Sequence, residues 1–241
     1  MSQFLKDLSN SLAPFDLIML SCGILLFLVF IILFVDAYRR DKNKKSILGL
    51  LPFAIIMIGY PTIQKIQFDG EKITIEKIIA IANSGKAVSD QEKSTLEQSA
   101  NKLGKKKNLP DDIRLNVAES FLILENPEES KRQINKIESS SQEILKKKKQ
   151  LEDKATLIQS SQELIQNPNH ASARKIIDNS FDQYKQLDLT LEQRKIVTNG
   201  LISGSYIEKA SIMYATIPDS SKRTESFILL KEKIDNAKIA L

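Results

Sequence analysis

Two long apolar runs open the chain. The first, LIMLSCGILLFLVFIILFV, places nineteen uncharged residues between Asp16 and Asp36. At roughly 1.5 Å per residue, such a helix extends about 28 Å, close to the roughly 30 Å hydrocarbon core of a bilayer. The second run, SILGLLPFAIIMIGYPTIQ, lies between Lys45 and Lys65 and contains two prolines. We therefore predict a transmembrane hairpin at 15–64, with an N-terminal tail at 1–14, spans at 16–38 and 46–64, and a basic loop at 39–45.

The charges around these runs predict an orientation. The basic loop carries five basic residues and one acidic residue, whereas the tail carries only Lys6 and Asp7. Basic loops stay in the cytoplasm, so both termini should lie outside it. The abundance of Lys, Ile, Ser and Asn suggests an AT-rich bacterial genome, and we therefore expect the membrane to be a bacterial inner membrane. Positive charges follow the first run instead of preceding it, which favours an anchor over a cleaved signal peptide. In the alternative, the second run is re-entrant and the rest of the chain is cytoplasmic.

The segment after the second run, IQFDGEKITIE, combines spaced apolar residues with an Asp69-Gly70 turn signal. Asp-Gly favours a type I′ turn, which would pair two short strands and set Phe68 and Ile75 on one face. We therefore predict a juxtamembrane β-hairpin and a short helix within 65–85. The alternative is a helix that continues through Gly70.

From 86 to 241 the apolar positions recur with helical period, and capping residues mark the helix starts. Gly85 should end the short helix that precedes this domain. Caps are predicted at Ser89, Asn126, Ser140, Asn167, Thr190 and Asp219. The predicted helices are 77–84, 89–103, 110–125, 127–138, 140–166, 168–186, 190–215 and 220–240. Short connections between them predict antiparallel neighbours in an all-α domain.

The clearest apolar stripe has Ile or Leu at every seventh position from Ile137 to Ile165. A free coiled coil needs two apolar rows, but the intervening positions Ser141, Lys148 and Gln162 are polar. The stripe therefore predicts packing within an array of helices. Homo- or hetero-oligomerisation through it is the alternative.

One stretch, VAESFLILENPEESKRQINKI at 117–137, resembles a tetratricopeptide repeat unit. The resemblance lies in the order of large, small and aromatic positions in a first helix, an Asn-Pro turn, and a small and then large positions in a second helix. These positions are Val117, Ala118 and Phe121, followed by Ser130, Ile134 and Ile137. The resemblance implies an α-hairpin array and, by analogy, a surface that binds another protein.

The stretch also departs from that family. Ser130 stands where the family usually has Ala, and Arg114 replaces an aromatic residue early in the first helix. The segment QNPNHASARKIIDN echoes the Asn-Pro turn about 41 residues later, outside the family's period of roughly 34 residues. The resemblance therefore covers one unit well and the rest of the domain loosely.

Composition and charge narrow the function. The chain has 35 basic and 30 acidic residues, mixed along the helices, which argues against a nucleic-acid partner. The lysine runs at 105–107 and 146–149 should be solvated, with acidic lipid headgroups as a second interpretation. The single histidine, His170, has no second His or Cys to complete a metal site or a dyad, and Cys22, the single cysteine, lies in the first apolar run. We therefore expect no catalytic residue, cofactor or metal, and no enzymatic activity.

Two glycines are the remaining residues that indicate a binding surface. Gly200 and Gly204 share one face of predicted helix 190–215 and should let a neighbouring helix or a partner approach closely, with Tyr206 beside them. The candidate protein-binding residues are Arg114, Lys131, Gly200, Gly204 and Tyr206.

These features together predict a non-enzymatic, membrane-anchored scaffold. Its extracytoplasmic α-hairpin domain would bind another protein of the envelope, as one subunit of a larger complex. The alternatives are a two-span membrane sensor or regulator, and a secreted effector that inserts its apolar hairpin into a membrane.

Overall fold

The structure, a computed structural model, describes residues 14–39 and 48–239, and every regular element within these ranges is an α-helix. The predicted all-α class is thereby confirmed. The N-terminal tail up to residue 13 and the basic loop from residue 40 lie outside the described residues. The helices are α1 Pro14–Arg39, α2 Leu50–Asn83, α3 Asp90–Gly104, α4 Asp111–Ile123, α5 Pro127–Ile134, α6 Gln142–Gln166, α7 Ala171–Tyr184, α8 Leu191–Ser203, α9 Ile207–Ala215, α10 Asp219–Lys222 and α11 Glu225–Ile239.

The chain divides into two compact units, Met1–Gly70 and Glu71–Leu241. In the first unit, α1 packs closely against the N-terminal part of α2 at Gly23, where an added Cβ would lie 2.9 Å from the Cβ of Met57. Ala54 on α2 is fully buried. Glycine and alanine let two helix backbones approach this closely, and such small residues are typical of contacts between transmembrane helices.

Apolar side chains cover the outside of α1. Leu25, Leu28 and Ile32 are 64%, 54% and 67% exposed. Within the described ranges, one helical segment, Ile18–Arg39, is long and apolar enough to cross a membrane, with a mean hydropathy of 3.2. By length and composition, a membrane anchor and a signal sequence both fit this helix.

The predicted second span at 46–64 does not meet the same criteria in the part of the chain that the structure describes. The apolar run of α2 contains Pro61 and continues without a break into Lys65 and the charged residues beyond it. These residues lower the hydropathy of the run, although Phe53 and Ile56 are 65% and 62% exposed. A second crossing therefore stays a prediction.

The predicted β-hairpin is wrong, because the segment IQFDGEKITIE is helical and belongs to α2. A seven-residue spacing fits both a pairing across a tight turn and two turns of helix, so the pattern alone does not separate them. Phe68 and Ile75 are 9% and 1% exposed, whereas Ile66 and Ile73 are 65% and 63% exposed, which is a helical division of faces. A glycine inside a helix costs only about 1 kcal/mol, less than the burial of this apolar face returns.

Three predicted caps are confirmed. The side chains of Ser89 and Thr190 each accept a hydrogen bond from the third backbone N–H of their helix and complete capping boxes with Glu92 and Gln193. Asn126 caps α5 by accepting from Glu129, and a proline occupies the first helical position. Each cap satisfies a backbone donor that has no partner inside the helix, which fixes where the helix begins.

Three predicted caps are wrong. Asp219 is the first residue of α10, and Pro218 occupies the cap position. Helix α6 begins after Ser141, not after Ser140, and Ser141 makes no side-chain capping bond. Asn167 lies at the C-terminal end of α6, and its Oδ1 accepts from a backbone N–H two residues on. His170 caps α7 instead by accepting from Ala173. The Asn side chain is used in a local turn, so the helix begins later than the Asn-Pro pair suggests.

The predicted helix 190–215 is divided in two. Helix α8 reaches its C-cap at Gly204, Ser205 takes a left-handed φ of 64°, and α9 follows directly. Tyr206 donates its backbone N–H to the carbonyl of Leu201 at 2.8 Å, which closes a Schellman motif. Gly204 therefore ends a helix instead of opening a patch in the middle of one.

The same motif joins α4 to α5. Glu125 has a φ of 60°, and Asn126 donates its backbone N–H to the carbonyl of Phe121 at 2.8 Å. In each case the turn reverses the chain, so that α4 pairs with α5 and α8 pairs with α9. The α4–α5 pair is a hairpin that the sequence predicts, whereas the α8–α9 pair lies within the predicted single helix 190–215.

The second unit is an array of such pairs. Helices α4, α6 and α8 contact one another, and α5, α7 and α9 pack against them. One apolar core runs through the array and includes Leu122, Leu151, Ile158 and Leu201. The predicted stripe thus packs inside the array, except at its end, where Ile165 is 45% exposed.

Glu71 joins the C-terminal part of α2 to α3. Its Oε1 accepts from Lys102 Nζ at 2.6 Å, and its Oε2 accepts from the buried hydroxyl of Ser99. Partial burial acts to raise the pKa of the Glu71 carboxyl, but the hydrogen bonds from Lys102 and Ser99 outweigh it and hold the pKa below its ordinary value. The folded structure therefore stabilises the charged form.

We predict that Glu71→Gln destabilises the protein by about 1 to 2 kcal/mol near neutral pH. Because the pKa is lowered on folding, the wild-type contribution is present above the ordinary value of 4.5 and is lost as the pH falls below it. Urea unfolding of the full chain in detergent, followed by circular dichroism near neutral pH and in acid, measures both effects. Glu143→Gln, which breaks an exposed pair with Lys147, is the matched control, and equal losses in the two variants would contradict this role.

Ser130 provides a test of the core. Its hydroxyl is buried and has no hydrogen-bond partner among the described residues. Ser130→Ala should stabilise the protein by about 1 kcal/mol, because it removes an unsatisfied polar group and alanine favours the helix. Ser120→Ala is the control, since that equally buried hydroxyl donates to the carbonyl of Asn116 at 2.8 Å. A lower midpoint of thermal unfolding for Ser130→Ala than for the wild type would contradict the assignment of the Ser130 hydroxyl as unsatisfied.

Candidate binding groove

A groove opens beside the loop that joins α3 to α4 and extends to the residues that follow α5. Its volume is about 710 Å³, a size typical of ligand-binding sites. Basic residues outnumber acidic ones by five to two, so the groove is positively charged. It is lined by Lys105, Lys106, Lys107, Arg114 and Lys136, by Glu129 and Glu138, by Asn101, Gln133 and Asn135, and by Gly104 and Phe121.

Residues 105–110 join α3 to α4 and are called the lysine loop. Arg114, in the first turn of α4, holds this loop in place. Its side chain is only 3% exposed. One guanidinium nitrogen, Nη2, donates to the backbone carbonyls of Lys106, Lys107 and Leu109 at 3.5, 3.2 and 3.5 Å. Three carbonyls of one loop thus share a single buried donor group, which positions consecutive lysines at the edge of the groove.

A chain of polar side chains continues from Arg114 along the groove. Its Nη1 donates to Gln133 Oε1 at 3.3 Å, and Gln133 Nε2 donates to Glu129 Oε1 at 3.0 Å. Gly104 leaves room for this chain, because a Cβ there would lie 2.9 Å from Gln133 Nε2. Helix α5 and the lysine loop are therefore connected through one buried arginine and one buried glutamine.

The buried charge of Arg114 lacks a counterion in the part of the chain that the structure describes. Glu129, which lines the same groove, pairs with Arg132 at 3.1 Å instead. The Nε of Arg114 is buried and has no hydrogen-bond partner there. A buried charge without a partner is unfavourable, and its field acts strongly in a region shielded from water. Arg114 therefore adds to the positive potential of the lysines above it.

Of the five predicted binding residues, only Arg114 lines the groove. Lys131 is half-buried on α5, and its Nζ donates to Gln159 Oε1 on α6 at 2.6 Å. Burial lowers the pKa of Lys131, against the opposing effect of Glu163 and Glu128. Lys131 thus links two helices of the array.

The other three predicted residues lie between helices. Gly200 faces α6, where an added Cβ would lie 2.5 Å from the carbonyl oxygen of Ser161. The neighbouring helix expected at Gly200 is therefore α6. The ring of Tyr206 lies between the Arg174 guanidinium, 5.0 Å from its centroid, and Lys209 Nζ, 4.8 Å from it. Gly204 lies at the end of α8. Gly200, Gly204 and Tyr206 therefore lie at contacts between helices of the array.

Sequence reasoning missed Gln133 and Lys136 and treated Lys105 to Lys107 as ordinary solvated surface. A lysine run by itself gives no sign of a groove. The available signal was Arg114, a charged residue at a position where the tetratricopeptide pattern has an apolar one. A buried position occupied by arginine requires acceptors, and the nearby loop carbonyls supply them.

No three potential metal ligands come together within the described residues. His170, the single histidine, caps α7 and lies 3.2 Å from Glu163 Oε2. Its place at a helix start accounts for the hydrogen bond that it accepts from the backbone N–H of Ala173.

The chain matches no protein-family model, no curated protein and no solved structure. The tetratricopeptide resemblance at 117–137 therefore rests on the residues of α4 and α5 and on the way these two helices pair. Function is inferred from the geometry of the groove and from the apolar helix α1.

We predict that Gly200→Ala destabilises the protein by about 1 to 3 kcal/mol, because the new methyl group would collide with the backbone of α6 at Ser161. Gly70→Ala is the matched control, since nothing lies within 4 Å of an added Cβ there. The control should be neutral or stabilising by up to about 1 kcal/mol, as alanine favours a helix. Thermal unfolding of both variants decides, and a neutral Gly200→Ala would show that α6 and α8 do not meet there.

Proposed function

We propose that this protein is a non-enzymatic, membrane-anchored scaffold whose helical domain binds another protein in the groove between the lysine loop and α5. The observation that carries this proposal is the positively charged groove, which lies beside a buried arginine that has no counterion among the described residues. Arrays of helix pairs present extended surfaces that suit protein partners. The exposed apolar helix α1 supplies the anchor.

The anchor is proposed as a hairpin of two crossings, at 16–38 and 46–64. The close contact of Gly23 with Met57 and the exposed apolar side chains on both helices support it. The basic loop at 39–45 would then lie in the cytoplasm of a bacterium, and the helical domain would lie on the outer side of the inner membrane. From there the domain would hold an envelope protein near the bilayer, as part of a larger complex.

Topology is the first test of this proposal. A reporter that is active only outside the cytoplasm should report when it is fused after Leu241. A reporter that is active only inside should report when it is inserted between Asp41 and Lys45. If both positions report inside, the second run does not cross the membrane, and a cytoplasmic role replaces the envelope role.

Partner binding is tested by photocrosslinking in cells of the source organism. A photoreactive amino acid at Lys136 should give a defined protein adduct, because this side chain is exposed in the groove. The same amino acid at Lys146, which is exposed on α6 and does not line the groove, is the matched control. Adducts at neither position, or equal adducts at both, would contradict a scaffold that uses this groove.

A further inference from the structure

We propose that the groove binds an acidic segment of the partner protein, with the partner's carboxylates paired to Lys105, Lys107 and Lys136 above the buried Arg114. This inference rests on the proposed function and adds the chemistry of the segment that is bound. The lysines supply exposed ammonium groups, and Arg114 supplies a fixed positive charge beneath them.

The balance of charge favours an anionic occupant. Within the described residues, Arg114 takes part in no ion pair and leaves its Nε without a hydrogen bond. A carboxylate that enters the groove would compensate a charge which the folded chain leaves unpaired. The exposed lysines would pair with the carboxylates directly, and the field of the buried Arg114 would add to that attraction.

The other groups in the groove favour a peptide over a phosphate surface. Asn101 and Asn135 are exposed amides that can hydrogen-bond to a peptide backbone. Glu129 and Glu138 would repel the dense negative charge of a lipid bilayer or a nucleic acid, but they can accept N–H groups from an extended chain. The single aromatic side chain, Phe121, is 4% exposed and so presents no face on which a base can stack.

A second groove shows that this charge is local. A groove of about 420 Å³ lies between the turn before α5 and helix α6, and its charged residues are Glu125, Glu128 and Glu163. An acidic segment would be repelled there. Of these two grooves, only the basic one suits carboxylates.

The test uses the full chain in nanodiscs of neutral lipid. The probe is a fluorescein-labelled peptide of alternating glutamate and alanine, and its matched partner has glutamine in place of glutamate. Fluorescence anisotropy should show binding of the acidic peptide that weakens as salt rises. The variant Lys105→Glu with Lys136→Glu should bind at least about tenfold more weakly. The variant Lys146→Glu with Lys149→Glu has the same net charge, changes no residue that lines the groove and should bind nearly as well as the wild type.

Three outcomes would overturn the inference. The first is equal binding of the acidic and glutamine peptides, and the second is equal weakening in both lysine variants. The third is loss of binding to anionic vesicles or to an oligonucleotide in the groove variant while peptide binding is unchanged. If the Lys136 photocrosslink forms but the acidic peptide does not bind, the scaffold function stands and the proposed chemistry of the segment fails. If the peptide binds but no crosslink forms in cells, the groove is acid-binding and the scaffold function fails.

Discussion

The close contact between α6 and α8 is the constraint on which the helical array depends. At Gly200 the two backbones meet, and only a hydrogen atom fits between α8 and the carbonyl of Ser161. The buried hydroxyls on these helices do not disturb this contact, because Ser161 donates to Leu157 and Thr198 donates to Arg194 within their own helices. Internal bonding of this kind removes the need for a polar partner on the neighbouring helix. This contact therefore sets the distance between the hairpins on either side of it.

The groove follows a different physical rule from the core. Apolar packing fixes the helices, but a buried guanidinium fixes the loop between α3 and α4, and it does so with three carbonyl acceptors and one glutamine. Carbonyl oxygens solvate a positive charge without cancelling it. Arg114 is therefore both a structural clasp for the loop and a source of potential. If Arg114 served folding alone, an apolar side chain of similar size could occupy its position, because a buried charge is costly.

The sequence predicts the class of fold and several helix starts, because capping residues such as Ser89 and Thr190 act locally and their chemistry is visible within three or four neighbouring residues. It fails where one spacing serves two structures, as with Phe68 and Ile75, whose separation suits a hairpin and a helix alike. It also fails for the groove. Gln133 and Lys136 line the same groove as Lys105 to Lys107, and the sequence indicates that α4 and α5 pair but not which of their side chains face this groove.

The turns at Glu125 and Ser205 share their backbone hydrogen bonds, yet the residues around them have little in common. Neither position is a glycine, although each has the left-handed conformation that glycine adopts most easily. The two hairpins thus have the same backbone geometry at their turns, although their amino-acid sequences differ. Each turn holds a side chain in a backbone conformation that costs roughly 1 to 2 kcal/mol, so the packing of the two helices that it joins must supply that energy.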